Sequence, residues 1–555
     1  MTLSTHTDAD ENIPTSERKV IFASALGTMF EWYDFFLYGS LAAIISEQFF
    51  SAVNQTAAFI FALLAFSAGF AVRPFGAAVF GHLGDIVGRK YTFLVTISIM
   101  GLSTFLVGCL PSYHSIGIAA PIALVALRLL QGLALGGEYG GAATYVAEHA
   151  PHGKRGMYTG WIQTTANIGL VLSLIIIIGT RTLLGKDEFA AWGWRIPFLV
   201  SALLLGISVW IRLSLSESPV FQRIKNEGKT SKAPLRETFG NPANFKLVII
   251  ALFGLMAGQA TAWYTGQFYS LFFLTKIAKV DSLTAYWLIG LSVTLTMPLY
   301  VAFGALADKI GRKPVILTGC LIAGLTYIPI FKGIMHAANP ALAAAQQQAP
   351  VEVIADPATC SFQFNPIDAS GFTSSCDIAK SFLAHNSVNY SNVAAPPDSV
   401  ASVRIGDTTI ASFEGKGMPK AEFKAQLTAF NAEISAAIKA AGYPTRADPA
   451  AINWGAVIGL LLLLGVFSAM TYGPIAAALV ELFPTRIRYT AMSMPYHIGN
   501  GWIGGLMPAM AFAMVAAKGD IYFGLWYPGA CALITAVIGT LFLPETKDKD
   551  IYADD

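Results

Sequence analysis

Residues 81–90 read GHLGDIVGRK and residues 304–313 read GALADKIGRK. Gly81, Asp85, Gly88, Arg89 and Lys90 of the first recur as Gly304, Asp308, Gly311, Arg312 and Lys313 of the second; 304 − 81 and 313 − 90 both give an offset of 223. Each copy joins two long apolar segments, so it reads as a short basic loop between membrane helices. A second echo has a different spacing: Glu148 and Arg155 recur as Glu481 and Arg488, an offset of 333. Two halves therefore run in register, except for 110 residues (333 less 223) lodged between Lys313 and Glu481. A fixed internal offset marks a duplicated architecture. In membranes, duplicated halves around a central site are typical of secondary transporters.

Composition sets the solvent. The chain of 555 residues is 54% hydrophobic and 13% charged, with mean hydropathy +0.56. Soluble domains carry roughly a quarter charged residues, so the surrounding medium is a lipid bilayer. The net charge of +2 argues against nucleic acid as a partner. A spanning helix needs about 20 mostly apolar residues. Twelve such segments stand at about 20–45, 57–80, 91–110, 118–147, 157–180, 196–214, 247–275, 283–306, 314–332, 453–479, 490–516 and 522–543. Long uniform runs do not alternate as barrel strands do. The predicted fold class is an all-α membrane protein: twelve transmembrane helices in two pseudo-symmetric six-helix bundles, with a small extracytoplasmic α+β insert. The polar N-terminus, with Asp8, Asp10 and Glu11, is not a cleavable signal peptide.

Lys and Arg set the orientation. Arg89 and Lys90, Lys154 and Arg155, Lys309 to Lys313, and Arg486 and Arg488 occupy loops on one side, whereas loops 46–56 and 111–117 hold none. The positive-inside rule puts both termini and the central loop in the cytoplasm and the insert outside. The expected organisation is a tail (1–19), a first bundle (20–215), a central loop (216–246), helices seven to nine (247–334), the insert (335–452), helices ten to twelve (453–543) and a C-terminal tail (544–555).

Polar residues inside the apolar segments mark a pathway by default, because they are costly there. Glu31 and Asp34 sit three apart on one face of the first segment. Asp34 lies about 20 Å from the cytoplasmic end at 1.5 Å per residue, a depth matched by Arg128 in the fourth segment. The bland alternative is a satisfied structural ion pair. Arg73 of the second segment either reaches the cavity or snorkels to the interface. Gln131 is one turn from Arg128, and Gly132, Gly136, Gly137, Gly140 and Gly141 make a small-residue packing face. The fifth segment offers Gln163, Thr164 and Asn167, and the offset of 333 makes Asn500 the counterpart of Asn167. In the seventh, Gln259, Trp263 and Gln267 share one face, with Tyr264 beside them. His497 is either a hydrogen-bonded structural residue or part of the pathway.

The insert has another composition. VEVIAD (351–356) reads as a strand, 401–413 as a hairpin turning at Gly406-Asp407, and 419–441 as a helix with Phe423, Leu427, Phe430, Ile434 and Ile438 along one side. The Ala-rich stretch 337–348 reads as linker. Cys360 and Cys376 are the insert's only cysteines, and an outside location permits a disulfide between them. Cys109, Cys320 and Cys531 read as packing residues. There is no metal-ligand spacing, phosphate-binding loop or nucleophilic constellation, so no cofactor and no enzyme activity are expected.

The repeated loops resemble the G-x-x-x-D-x-x-G-R-K signature of the major facilitator superfamily. So do Arg128, Gln131 and Gly132 as R-x-x-Q-G, WGWRIPF at 192–198, SESP at 216–219 and LPET at 543–546. EWYDF of the first segment, RPFG of the second, QGLALGGE of the fourth and ELFPTRIRYT at 481–490 are similar to the metabolite:proton symporter family, which includes permeases for α-ketoglutarate, citrate, shikimate and proline/betaine. The resemblance implies a rocker-switch carrier in a bacterial plasma (inner) membrane. It is driven by the proton gradient, and its partners are a small organic acid or related metabolite, protons and lipid. Asp34 and Arg128, with Glu31, become the proton-coupling group. Arg128, Arg73, Gln131, Gln163, Asn167, Gln259, Trp263, Tyr264, Gln267 and Asn500 become the substrate-binding set. Asp85, Arg89, Asp308, Arg312, Glu148 and Glu481 become the gate, because arginines of the loops can hold acids at nearby helix ends. The chain ends ten residues after Glu545 without the coiled-coil tail of the osmosensing branch, which disfavours that branch. Other readings stay open: a proton-coupled exporter, or a membrane sensor whose insert binds a ligand or a protein partner.

Overall fold

The computed structural model describes residues 29–30, 32–53, 55–86, 89–137, 139–151, 153–213, 234–361, 372–484 and 487–549. Each of the twelve apolar segments is helical where described. They begin with α1 (32–49, with a turn at Leu41), α2 (Gln55–Ala71, resuming as Arg73–Ile86), α3 (Arg89–Cys109), α4 (Ala119–Leu135, resuming as Tyr139–His149), α5 (Arg155–Leu184) and α6 (Arg195–Leu213). Then come α7 (Pro242–Ile277), α8 (Ser282–Ile310) and α9 (Arg312–Ala338). The insert adds α10 (Pro340–Gln348), α11 (Ser375–His385) and α12 (Lys420–Ala440). The chain closes with α13 (Trp454–Leu482), α14 (Arg488–Ile498, continuing through Gly499–Gly504 to Met507–Lys518) and α15 (Trp526–Phe542). Among the described residues, eight helices are long and apolar enough to cross a bilayer, or nine if the bent pair Lys186–Gly193 and Arg195–Trp210 is one span. Leu94–Cys109 and Ala119–Leu135 are shorter apolar helices.

Glycine sets the closest approaches. A Cβ on Gly132 of α4 would collide with the carbonyl of Gly69 on α2, and one on Gly136 with the carbonyl of Arg73. Small residues let membrane helices approach backbone to backbone. The same device joins the two halves. Gly156 of α5 and Gly304 of α8 each face the other's carbonyl, so neither tolerates a side chain. On the second seam, Ser67 Oγ of α2 donates to the Gly505 carbonyl at 2.5 Å, and Trp502 Nε1 of α14 donates to the Ala71 carbonyl at 2.9 Å.

The insert folds as a small sheet with helices around it. β1 (Val351–Ala355) pairs in parallel with β2 (Tyr390–Ala394) and antiparallel with β3 (Ser402–Ile405), which pairs with β4 (Thr408–Ala411) across the Gly406-Asp407 turn. The sheet order is β2-β1-β3-β4. Burial alternates along β1, as one core-facing side requires. α12 lays Phe430 and Ile434 into the core and keeps Phe423, Leu427 and Ile438 half-buried. Pro419 precedes its first turn, and Gly442 follows it at φ +82°. The expectation of a linker at 337–348 is wrong: Pro340–Gln348 is helical. Asn339 accepts the Leu342 N–H at 3.1 Å as the cap, and Leu342, Ala343 and Ala345 are buried. An Ala-rich run behind an Asn-Pro start has high helix propensity once one side has something to pack on. α11 and β2, which the sequence pattern did not single out, complete a β-α-β crossover.

The insert is tied to the second half by backbone. Tyr390 N–H donates to the Gly519 carbonyl at 3.1 Å, Ala447 to Lys279 at 3.0 Å, and Asn453 to Ala337 at 2.9 Å. Cys360 and Cys376 are disulfide-bonded, with Cα atoms 5.2 Å apart. Alkylation without reductant, read by mass spectrometry, is expected to leave both thiols unmodified. Closing a loop of this size is worth about 3 kcal/mol in the chain-entropy model. Replacing both cysteines by serine should therefore melt the insert before the bundle.

Candidate functional site

The α2–α4 contact places two arginines in the interior. Arg73 is 2% exposed and Arg128 1%. Arg73 is therefore an interior residue and does not snorkel to the interface. Its guanidinium carbon lies 4.1 Å from the centroid of the Phe70 ring and 4.9 Å from that of Phe35. Its Nε and Nη2 have no hydrogen-bond partner.

Arg128 is better held. Nη1 donates to Gln131 Oε1, Nη2 donates to the Phe66 carbonyl at 3.3 Å, and the guanidinium lies 4.6 Å from the Tyr38 ring centroid. Gln131 Nε2 in turn donates to Thr104 Oγ1. Asp34 is buried, its polar neighbours are the side chains of Ser201 and Thr104, and its Oδ1 has no partner. A direct Asp34–Arg128 ion pair is thus absent among the described residues. Gln131 and Thr104 stand between the two. Depth along a helix places a residue by height, and rotation about the helix axis separates these two. Glu31 lies outside the described residues.

Opposite Arg73 the second half contributes α7, α13 and α14. Gln259, Trp263, Tyr264, Gln267, Tyr472, Tyr496, His497 and Asn500 are all buried. Tyr264, Tyr472, Tyr496 and His497 lie within electrostatic reach of Arg73. Two pairs of contacts repeat across the halves. Gln163 Nε2 donates to Tyr139 Oη at 2.7 Å, and Tyr496 and Tyr472 share a hydroxyl hydrogen bond at 2.8 Å. The offset of 333 carries Tyr139 onto Tyr472 and Gln163 onto Tyr496, so this is one bond made twice. Tyr139 stacks on Tyr496 with ring centroids 3.5 Å apart, closing the seam between the copies. Asn500 donates to Gln259 at 3.4 Å and Gln267 to Asn167 at 3.4 Å. Several buried atoms among these residues keep no hydrogen-bond partner: Gln259 Nε2, Trp263 Nε1, Asn167 Nδ2, Gln267 Oε1 and both ring nitrogens of His497, with the Tyr300 hydroxyl beside Asn167, Gln267 and Trp263. Buried polar groups are normally paired, so an unpaired cluster marks these residues as candidate ligand contacts. The tyrosine pairs were missing from the sequence-based set, although the repeat offset marked them.

Both ends of the seam carry ion pairs. At the end with the repeated loops, Arg312 donates to both oxygens of Glu481, at 3.1 Å from Nε and 3.0 Å from Nη2, and Nη1 meets Asp308 at 2.6 Å. Asp308 accepts the N–H groups of Gly156 and Met157 at 2.8 Å each, capping α5 of the other half. Arg155 approaches Glu481 at 3.7 Å, and Thr546 donates to Glu481 at 2.9 Å. The side chains of Asp85, Arg89 and Glu148 lie outside the described ones. At the insert end, Arg181 donates to Asp281 at 3.1 and 3.3 Å, and Tyr286 Oη donates to the Ser40 carbonyl at 2.8 Å. Burial alone would raise Asp281, but Arg181 beside it and the Leu283 N–H hold it below the usual carboxylate range.

The model of the family described as "Sugar (and other) transporter" matches residues 19–245 and 427–553. The chain is 37% identical over 334 residues to the inner membrane metabolite transport protein YhjE of Escherichia coli, covering 59% of this chain and 75% of the relative. It is 30% identical over 542 residues to a putative metabolite transport protein of Haemophilus influenzae, covering 97% and 96%. It is 35% identical over 335 residues to the shikimate transporter of Escherichia coli, covering 59% and 75%. The xylose transporter XylE of Escherichia coli, in a partially occluded inward-open conformation, superposes with TM-score 0.60 over 97% of this chain and all of that one, at 16% identity, which speaks for the fold. Duplicated bundles, buried polar side chains on their seam and a family match over more than half of the chain lead to one conclusion: the protein belongs to the sugar (and other) transporter family of the major facilitator superfamily, and is a membrane transporter, not an enzyme.

Proposed function

We propose that the protein takes up a small carboxylate-bearing metabolite by proton-coupled symport, the two bundles rocking to open the central space to either side in turn. Arg73 carries the reading: a buried guanidinium on the seam with Nε and Nη2 unpartnered. Burying a charge is costly unless it is paired. A carboxylate supplies a planar partner for that planar fork, and the open N–H groups of Gln259, Asn167 and Trp263 are placed to hold the rest of the molecule. Shikimate, proline and betaine, after which similar transporters are named, all carry a carboxylate. In this reading twelve helices span the membrane. Both termini and the repeated loops face the cytoplasm and the insert lies outside, an orientation that the Lys and Arg distribution supports. Labelled metabolites offered to vesicles with and without an inward proton gradient test the proposal. Small carboxylates should compete and their methyl esters should not. Equal competition by neutral esters or sugars would sink it.

Asp34 carries the proton. An acid in the dry interior gives up a costly charge on protonation, and Thr104 and Gln131 link its state to Arg128. Asp34→Asn is expected to bring the accumulation ratio down to about one while exchange of labelled for unlabelled substrate continues. Accumulation against a gradient in that variant assigns coupling to another group.

A further inference from the structure

The insert roofs a cleft of about 470 Å³ at its end of the bundle, whose lining does not include Arg73. Lys186 from the α5–α6 connection, Lys276 at the end of α7, Lys279 just beyond it and Arg446 from the insert all line it, over a floor that includes Phe59 and Phe512. The acids nearby are fewer and engaged. Asp281 also lines the cleft, held by Arg181 and within electrostatic reach of Lys186, and Glu47 lies within electrostatic reach of Lys276. Asp520, beside the lining residues Gly519 and Ile521, accepts the Tyr522 N–H at 2.8 Å. The Lys276 ammonium sits 4.8 Å from the Phe59 ring centroid, half-buried. The cleft draws on both halves and the insert together, and its Lys279 backbone is one of the points where the insert is fastened. Its volume falls within the range of small-molecule sites, about 300–1,000 Å³. Lys276 is nine residues beyond Gln267 on α7, so the two spaces lie about 13 Å apart along that helix at 1.5 Å per residue.

We propose that this cleft is a second, outer binding site, in which Lys186, Lys276, Lys279 and Arg446 collect a small polycarboxylate before it passes to the central space. The inference rests on the anionic substrate proposed above. With four cations against one acid, Asp281, the lining carries an excess of positive charge, and clefts dominated by one sign focus the field and raise local concentrations of the opposite ion, with effects on rates of up to about 1,000-fold. The insert supplies one of the four cations and the roof, which gives this domain a role in capture.

The test uses the full chain in phosphatidylcholine nanodiscs, where both faces are open and transport is not required. Thr445→Cys places a thiol in the cleft, with Cys109→Ser and Cys531→Ser removing competing thiols. Its reaction with an anionic sulfonatoethyl methanethiosulfonate should be at least tenfold faster than with the cationic trimethylammonium analogue, and citrate should slow it saturably. Adding Lys186→Gln, Lys279→Gln and Arg446→Gln should bring the rate ratio near one and abolish protection. Equal rates for the two reagents, protection unaffected by the three substitutions, or inorganic phosphate protecting as well as citrate would each overturn the proposal. So would protection that appears only when phosphatidylglycerol is added, since that assigns the cleft to a lipid headgroup. Because no turnover is read, failure of the central-site reading leaves a distinct signature: normal capture here with uptake indifferent to carboxylate competitors.

Discussion

Arg73→Ala should lower kcat/KM for carboxylate uptake by about thirtyfold or more while leaving the thermal unfolding midpoint unchanged or raised. The two halves of that expectation have one cause. Nε and Nη2 of Arg73 are buried without hydrogen-bond partners, so its charge contributes desolvation cost and little compensation beyond the Phe70 and Phe35 rings. Removing such a group does not destabilise as breaking a paired charge does. With a carboxylate bound, the guanidinium gains its partner, and truncating one side of a buried, hydrogen-bonded charge pair costs about 2–5 kcal/mol. At about 1.4 kcal/mol per tenfold, this corresponds to a loss between roughly thirtyfold and several-thousandfold. Arg73→Lys keeps the charge but not the fork, and should recover only a small part. Uptake in Arg73→Ala within tenfold of the parent would move the substrate site elsewhere.

Glu481→Gln should destabilise the closed form of the repeated-loop end by about 3–5 kcal/mol, the usual cost of leaving buried partners uncompensated. Glu481 is wholly buried and accepts from Arg312 twice and from Thr546, with Arg155 close by. The neutral amide leaves two interior guanidiniums facing it. The insert end offers no comparable counterweight, since Asp281 is 41% exposed, and exposed pairs are worth about 0–1 kcal/mol. With the cluster gone, the variant should open at the repeated-loop end far more often than the parent. A cysteine in the central space should then become much more reactive to impermeant reagents from that side. Unchanged reactivity together with an unchanged unfolding midpoint would show that the cluster does not hold the end shut.

Much of this was legible in the sequence. The offsets of 223 and 333 locate the duplication, the loops and the inserted domain without any coordinates. The hairpin at Gly406-Asp407 and the helix after Pro419 follow from turn chemistry and a 3.6-residue stripe. What the sequence hid is rotation about the helix axis. A helix that is apolar all round has no preferred face in its pattern. The depth match of Asp34 and Arg128 therefore suggested a contact that Gln131 and Thr104 interrupt. For the same reason Arg73 could not be assigned to cavity or interface. Tyr139 and Tyr472 look like ordinary core aromatics one at a time. Only their shared offset, and the hydrogen bond each makes, sets them apart.

The hydrogen bond from the Asn453 N–H to the Ala337 carbonyl brings the two stems of the insert together where it leaves and rejoins the bundle. Such an arrangement makes the junction a splice point. A foreign domain with neighbouring termini, such as a fluorescent reporter, could be exchanged for the native one there without forcing α9 and α13 apart, since the cost of closing a long loop grows only slowly with its length. For engineering purposes the protein carries a socket, and the native domain is one of many plugs that would fit it.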